Sequence, residues 1–282
     1  MNHHKTARWV RRVWALAFVF VCALAATGCN KLRARDRLNK GVAAFKNGLY
    51  DQAIEDFKEA RDLDPSLMNA RIYLATAYAQ QYVPNAPSED NIRKGNEAIA
   101  VYKDVLEHTT NTSERITALD GIGFILFNMA GSPYSPEKFE ESKSYHEQHI
   151  KLKPDDATPY YWIAVIDWTM TFRANGEMRL AYNKANITKQ LKDMDPLPAK
   201  LRAEYAAKYG ALIDEGIQNV QEAIKLQPDY EEAMGYLNLL YRRMADVVES
   251  AEERDALLKQ ADELLDKIKE IRQKKTGQAQ AS

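Results

Sequence analysis

Residues 41–65 carry apolar and polar positions at the spacing of two amphipathic helices joined by a turn. Five apolar residues of the second predicted helix fall three or four positions apart and therefore share one face: Tyr50, Ala53, Ile54, Phe57 and Ala60. Gly48 precedes this helix as a turn residue, and Pro65 follows it as a helix terminator. The stretch therefore predicts a helical hairpin.

The pattern of this second helix recurs along the chain. Residues 139–156 and 215–230 repeat the apolar spacing, with Pro154 and Pro228 at the closing position, and residues 95–108 repeat it without a proline. The stretches between them predict the first helices of four further hairpins: 68–80, 116–128, 158–168 and 231–241. Because one hairpin cannot bury its own apolar face, its neighbours must stack on it.

These hairpins resemble the tetratricopeptide repeat family over most of residues 34–272. The resemblance implies an all-α fold, an α-solenoid of about five helical hairpins in which the first helices line a concave groove. Such folds serve many functions, so the resemblance by itself names no partner.

Three segments interrupt the regular repeat, each between the first and second helix of its hairpin. They lie at residues 80–91, 129–136 and 169–202, in repeats two to four, and residues 177–194 of the longest one are expected to be helical. In a stacked array these turns project from one edge. They predict either a rim that binds a partner or tolerated loop variation.

Residues 1–28 have the composition of a secretory signal. Four bases and no acid are followed by an uncharged apolar run at residues 13–26, which is shorter than a membrane-spanning helix requires. The segment before Cys29 resembles a bacterial lipobox, although Ala26 stands where a leucine is typical. The resemblance implies lipidation of Cys29; the alternative is ordinary cleavage after Ala25 and soluble secretion.

A lipidated Cys29 implies an exported protein held in the outer membrane and facing the periplasm, since Asn30 is not the aspartate associated with inner-membrane retention. Residues 29–33 then form the anchor and a short linker, and residues 273–282 are expected to be a disordered tail. The basic stretch 31–37 indicates either a solvated helix start or added attraction to anionic headgroups.

Composition argues against several other classes of function. The formal net charge is −1, which gives no support to nucleic-acid binding. No phosphate-binding loop, nucleophile elbow or HExxH motif is present, so we predict neither an enzyme nor a cofactor. His146 and His149 are three residues apart, yet they occupy packing positions of the repeat and are expected to pack rather than to bind a metal.

The candidate partner site is the groove lined by the first helices. Its predicted residues are apolar and aromatic with a basic end: Phe45, Ile72, Phe124, Phe127, Tyr161, Val165, Trp168, Leu239, Arg242 and the adjacent Arg243. Aromatic side chains in a groove suit an extended or helical protein segment. We predict a lipid-anchored scaffold that binds another cell-envelope protein in an assembly or secretion complex. The alternative is a transport accessory that holds a small ligand or its binding protein.

Overall fold

The computed structural model describes residues 28–84 and 86–281, with side chains up to residue 276. All the longer regular elements of this described part are helices: α1 (28–46), α2 (Tyr50–Leu63), α3 (Met68–Gln81), α4 (Glu89–His108), α5 (Thr112–Ala130), α6 (Pro136–Leu152), α7 (Ala157–Ala185), α8 (Ala199–Leu226), α9 (Glu231–Met244) and α10 (Ala251–Ala281). Along the described chain the helices follow one another as five helix–loop–helix segments, from α1–α2 to α9–α10. The predicted all-α fold of about five helical hairpins is confirmed.

The chain divides within α5, at Ile125, into two compact units. Unit 1 contains α1 to α4 and the first part of α5, and its core cluster consists of Ala44, Ala53, Ile54, Phe57, Leu74 and Ala77. Unit 2 contains the end of α5 and α6 to α10. One core cluster of unit 2 consists of Ala157, Ala164, Val220, Ala223, Ala233, Leu237 and Leu240, which come from α7, α8 and α9.

The turn and terminator residues act where the sequence places them. Gly48 has a φ of 73°, a left-handed conformation that a side chain disfavours. The helices α2, α6 and α8 each end two residues before a proline: Pro65, Pro154 and Pro228. Proline lacks the N–H that would continue the helical hydrogen bonds, which explains these three ends.

The three interruptions take different forms. Two contain short non-helical stretches, at residues 82–84 and 86–88 in the first and at residues 131–135 in the second. The third lengthens both α7 and α8, to 29 and 28 residues, and leaves the loop 186–198 between them. The predicted helix over 177–194 is therefore wrong beyond Ala185. The Asn186 side chain donates to the Tyr182 carbonyl at 2.8 Å and so caps α7 at that point.

The C-terminal tail also differs from the prediction, because α10 continues through Ala281 instead of ending near residue 272. Two basic side chains near the start of this extension, Arg272 and Lys275, pair with a glutamate at the first position of α9. Arg272 Nε lies 2.6 Å and Lys275 Nζ 2.9 Å from Glu231 carboxylate oxygens. These ion pairs, together with the good helix formers Arg272, Gln273, Lys274 and Lys275, account for the continuation of α10 past residue 272.

No helix in the described ranges is long and apolar enough to cross a bilayer. Residues 1–27 of the predicted signal segment lie outside the described residues. Cys29 is exposed near the start of α1, and its lipidation stays a prediction.

The crossing of α1 and α2 is close enough to test by mutation. A Cβ atom added to Gly41 would lie 2.5 Å from Cε1 of the fully buried Phe57 ring, whereas one added to Gly176 would meet nothing within 4 Å. Gly41→Ala is expected to lower the free energy of unfolding by about 1–3 kcal/mol through overpacking. Gly176→Ala, the matched control, is expected to raise it by up to about 1 kcal/mol, since alanine favours helix.

Urea denaturation followed by circular dichroism measures both variants. Equal effects of the two substitutions would contradict the close crossing of α1 and α2.

Candidate functional site

The first helices α7 and α9 of unit 2 bring five aromatic rings into one line of contacts. The ring centroids of Tyr161 and Tyr236 are 5.5 Å apart, and those of Trp168 and Tyr236 are 5.4 Å apart. Phe172 stacks on Trp168 at 4.9 Å, and Tyr230 lies beside Tyr161 at 5.1 Å. We call these five residues the aromatic ladder.

Helix geometry explains why these rings meet. Trp168 follows Tyr161 by seven residues and Phe172 follows Trp168 by four, so the three share one face of α7. Small residues behind the rings allow the helices to approach closely, since Ala164 and Ala233 are completely buried in the core beneath them. The arrangement of the three α7 rings therefore follows from the period of the helix.

The aromatic ladder is an open surface and not a closed chamber. Its neighbouring rings are at the separations of rings in direct contact, so they pack against one another instead of around an enclosed space. Tyr161, Trp168 and Tyr236 are half-buried, and Phe172 is 51% exposed. This geometry favours the predicted open groove over a small-ligand pocket.

The ladder is uncharged at physiological pH. Burial raises the pKa of Tyr230 to about 12 and also raises the pKa values of Tyr161 and Tyr236. All three phenols therefore keep their protons. The face offers aromatic area and neutral hydroxyl groups to a partner.

A buried ion cluster holds α7 behind the ladder. Lys143 Nζ of α6 lies 2.5 Å from a carboxylate oxygen of Asp167 on α7 and 3.2 Å from one of Glu215 on α8. The Asp167 side chain is completely buried and the Lys143 side chain is 5% exposed. Burial raises the pKa of Asp167 to about 7, against the opposing effect of the Lys143 charge. This cluster fixes the helix that carries Trp168.

A second buried network of charged and polar side chains lies next to Phe172, at one end of the ladder. The carboxylate of Asp246, just after α9, accepts from Arg179 of α7 at 2.9 Å and from Asn175 at 3.2 Å. A carboxylate oxygen of Asp246 also lies 3.2 Å from Nη1 of Arg243. The Arg243 guanidinium stands over the Phe172 ring at 5.8 Å. A fixed cation thus adjoins the most exposed ring of the ladder.

A second aromatic contact set adjoins the ladder at Tyr161, whose ring centroid lies 5.6 Å from that of Trp162. Trp162 meets Phe127 at a centroid distance of 5.6 Å, and His146 stacks on Trp162 at 5.9 Å with 7° between the ring planes. His146 and His149 are 0% and 1% exposed. Both histidines therefore lie in the core, where the repeat places packing residues.

One trio in the described part of the chain could offer ligand atoms to a metal. Asp104, Glu107 and His108, at the end of α4, hold such atoms within 4.8 Å of one another. Arg71 already pairs with Asp104 at 2.7 Å, and the other two side chains are exposed. This trio supports no metal site.

The predicted groove residues are divided between the two units. Phe45, Ile72 and Phe124 belong to unit 1, where Phe45 contacts Tyr50 at 5.4 Å and Phe124 is 48% exposed. In unit 2, Tyr161 and Trp168 lie in the ladder. Phe127 packs on Phe139 and Trp162 instead, and Leu239 is half-buried on α9.

Two predicted groove residues need correction. Val165 is 2% exposed and belongs to the core, because it sits on the buried side of α7 between the ladder positions. Arg242 pairs with Asp262 of α10 at 2.6 Å. Its neighbour Arg243 is one helical step, about 100°, further round and meets the ladder.

Phe172, Tyr230 and Tyr236 belong to the site, although sequence reasoning missed them. Phe172 lies within the predicted inserted segment 169–202. Its four-residue spacing from Trp168 nevertheless places it on the same face of α7. Tyr236 lies seven residues before Arg243, and this spacing could have identified the ladder-facing side of α9.

Comparisons with known proteins agree with this geometry at the level of the fold. The sequence model of the family described as tetratricopeptide repeat matches residues 34–67. No curated protein sequence matches the chain significantly. The crystal structure of MamA protein has 16% sequence identity and a TM-score of 0.52, covering 83% of this chain and 93% of that one. MamA from Desulfovibrio magneticus RS-1 has 16% identity and a TM-score of 0.53, covering 86% and 96%.

At this identity the two likenesses show a shared fold. The MamA structures are helical solenoids of tetratricopeptide repeats, and they extend over most of the present chain. Residues 34–67 match the tetratricopeptide-repeat family, and the chain shares the helical-solenoid fold of proteins built from such repeats.

Proposed function

We propose that this protein is a non-catalytic scaffold that binds a segment of another cell-envelope protein on the aromatic ladder. The tetratricopeptide fold suggests a protein–protein interaction scaffold, and families with this fold are generally non-catalytic. The observation that carries the proposal is the ladder itself, a row of touching rings that is half-buried at Tyr161 and open at Phe172.

The chemistry of the ladder defines the segment that fits it. Large aromatic residues contribute most to binding when they lie in a partly desolvated, rigid surface. The ladder rings have that environment, because the buried Lys143–Asp167 pair and the Asp246 network fix α7 and α9. Their uncharged faces suit apolar side chains of an extended or helical segment, and Arg243 favours an acidic residue near Phe172.

Photo-crosslinking in cells tests the ladder directly. A photoreactive phenylalanine analogue at position 172 is expected to form a covalent adduct with the partner, and the same analogue at Leu265, 40% exposed on α10, is the control. Tyr236→Ala is expected to weaken binding by about 2 kcal/mol, roughly thirtyfold. Binding of the identified partner to the purified variant measures this loss.

Phe124→Ala separates the two groups of predicted residues. If Phe124→Ala abolishes adduct formation while Tyr236→Ala leaves it unchanged, the partner binds at Phe124 of unit 1, and the ladder proposal is wrong.

The anchor is proposed on separate grounds. The lipobox-like segment before Cys29 supports lipidation, as does the exposure of Cys29 near the start of α1. The two or three acyl chains of a lipoprotein attach a protein stably to a membrane, whereas one chain alone does not. We expect outer-membrane attachment facing the periplasm.

Replacing Cys29 by serine is expected to move the protein from the membrane to the soluble fraction of cells. Fractionation followed by immunoblotting measures the change, and Ser250→Ala, far along the chain, is the control. Retention of Cys29→Ser in the membrane fraction would show that no lipid on this residue anchors the protein.

A further inference from the structure

The loop 186–198, between α7 and α8, is held in one shape by side chains that bond its backbone. Asn183 accepts from the Leu191 N–H at 2.7 Å and donates to the Leu191 carbonyl at 2.9 Å. Arg179 donates to the Lys192 carbonyl at 2.9 Å, and Asp195 accepts from the Lys192 N–H at 2.8 Å. The loop is therefore a formed element of unit 2.

The loop divides its apolar side chains between two sides. Leu197 is 3% exposed and Leu191 packs on the core cluster around Tyr205. Ile187 and Met194 are 79% and 57% exposed, and Ile187 is the most exposed large apolar side chain among the described residues. Since the inward side of the loop is already filled by leucines, the outward pair serves no core that the structure shows.

Basic residues surround the outward pair. Residues 184–202 contain five bases and two acids, in a chain whose formal net charge is −1. Lys184, Lys189 and Lys192 are exposed. One of the two acids, Asp195, already accepts the backbone N–H of Lys192. The exposed surface of the loop thus combines large apolar side chains with an excess of positive charge.

We propose that this loop inserts Ile187 and Met194 into the interface of an anionic lipid membrane. Apolar side chains flanked by lysines are the composition that binds membrane interfaces, because the apolar groups enter the acyl boundary while the lysines contact anionic headgroups. This partner follows from the charge complementarity and from the exposure of Ile187 and Met194, which are 79% and 57% exposed.

The backbone of the loop suits the same environment. A peptide group that enters a membrane interface loses water, and an unpaired one makes entry unfavourable. Several peptide groups here are paired within the protein: both polar groups of Leu191, both of Lys192, and the Met194 carbonyl, which accepts from Arg254 at 2.9 Å. The proposal uses residues apart from the ladder, so it stands or fails independently of partner binding.

Site-specific fluorescence on the full chain tests the insertion. In a Cys22→Ser, Cys29→Ser background, Ile187→Cys or Met194→Cys receives an environment-sensitive dye, and vesicles contain either phosphatidylglycerol or phosphatidylcholine alone. Lys259→Cys on α10, 79% exposed, is the control position. The apolar run 13–26 is present in every variant, so the comparison between positions isolates the loop.

With phosphatidylglycerol vesicles, the dye at 187 and 194 is expected to shift its emission to shorter wavelength and to be quenched by a lipid-borne quencher, while the dye at 259 is not. Replacing Lys184, Lys189 and Lys192 by glutamine is expected to weaken this insertion by about fivefold per lysine. Unchanged emission of the dye at position 187 overturns the proposal. That result is expected if the loop binds an acidic protein segment and not a membrane. Equal shifts with phosphatidylcholine also overturn it.

Discussion

Replacing Lys143 by methionine is expected to lower the free energy of unfolding by about 3–5 kcal/mol, because it leaves Asp167 buried without its cation. The Asp167 carboxylate is completely buried, and Lys143 lies 2.5 Å from it. Removing one partner of such a pair costs far more than removing both. The double variant Lys143→Met/Asp167→Ala is therefore expected to recover most of the lost stability.

The pH dependence of unfolding distinguishes this explanation from a simple packing defect. Burial raises the pKa of Asp167 from its ordinary 3.8 to about 7 in the folded protein. The folded state then holds a proton that the unfolded state has released, so this group lowers stability as pH rises between those two values. Without Lys143 the pKa of Asp167 rises further, and the loss of stability in Lys143→Met continues above pH 7.

Urea denaturation at pH 5.5, 7 and 8.5 measures both effects. Lys143→Met is expected to lose more stability at pH 8.5 than at pH 5.5, and the double variant is expected to show no slope from this site. Lys259→Met is the matched control, since Lys259 is 79% exposed and its pair with Glu263 contributes about 0–1 kcal/mol. A double variant as unstable as the single one would contradict a repulsive role for the unpaired carboxylate.

Local signals in the sequence predicted the hairpins well. Gly48 requires a left-handed turn, and Pro65, Pro154 and Pro228 stop helices by a covalent property of proline. Each acts within one or two residues of its position, so no knowledge of the tertiary structure is needed. The stripe from Tyr50 to Ala60 likewise depends only on the period of the helix.

The inserted segment was harder to predict because its helix ends at a side-chain capping bond that the repeat pattern does not indicate. The predicted helix passed through Asn186, where a side-chain hydrogen bond to Tyr182 ends α7. The repeat pattern also gave no reason to extend the ladder to Phe172, since that residue lies beyond the regular first helix. On α9, a shift of one residue decides whether Arg242 or Arg243 meets the ladder.

The buried charges could not be predicted from the repeat at all. Lys143 and Asp167 are 24 residues apart, and Glu215 lies a further 48 residues on. Neither charge belongs to the pattern of apolar and small residues that identifies the hairpins. Their pairing exists only because α6, α7 and α8 pack together, and a single sequence does not report such pairings.

Replacing Asp246 by alanine is the second substitution with a large expected effect. Its carboxylate is 7% exposed and lies 2.9 Å from Arg179 and 3.2 Å from Arg243, whose side chains are 7% and 12% exposed. Alanine leaves two largely buried guanidinium groups without their anion. We expect the free energy of unfolding to fall by about 3–5 kcal/mol.

The same substitution is expected to loosen the structure at the two surfaces for which binding is proposed, the loop 186–198 and the aromatic ladder. Arg179 also donates to the Lys192 carbonyl, and Arg243 stands over Phe172. Hydrogen exchange of residues 186–198 should therefore accelerate in Asp246→Ala, and partner binding at the ladder should weaken. Asp262→Ala is the control, because Asp262 is 68% exposed and its pair with Arg242 contributes about 0–1 kcal/mol. If Asp246→Ala is no less stable than Asp262→Ala, the network does not hold α7 to α9, and the ladder owes its rigidity to ring packing alone.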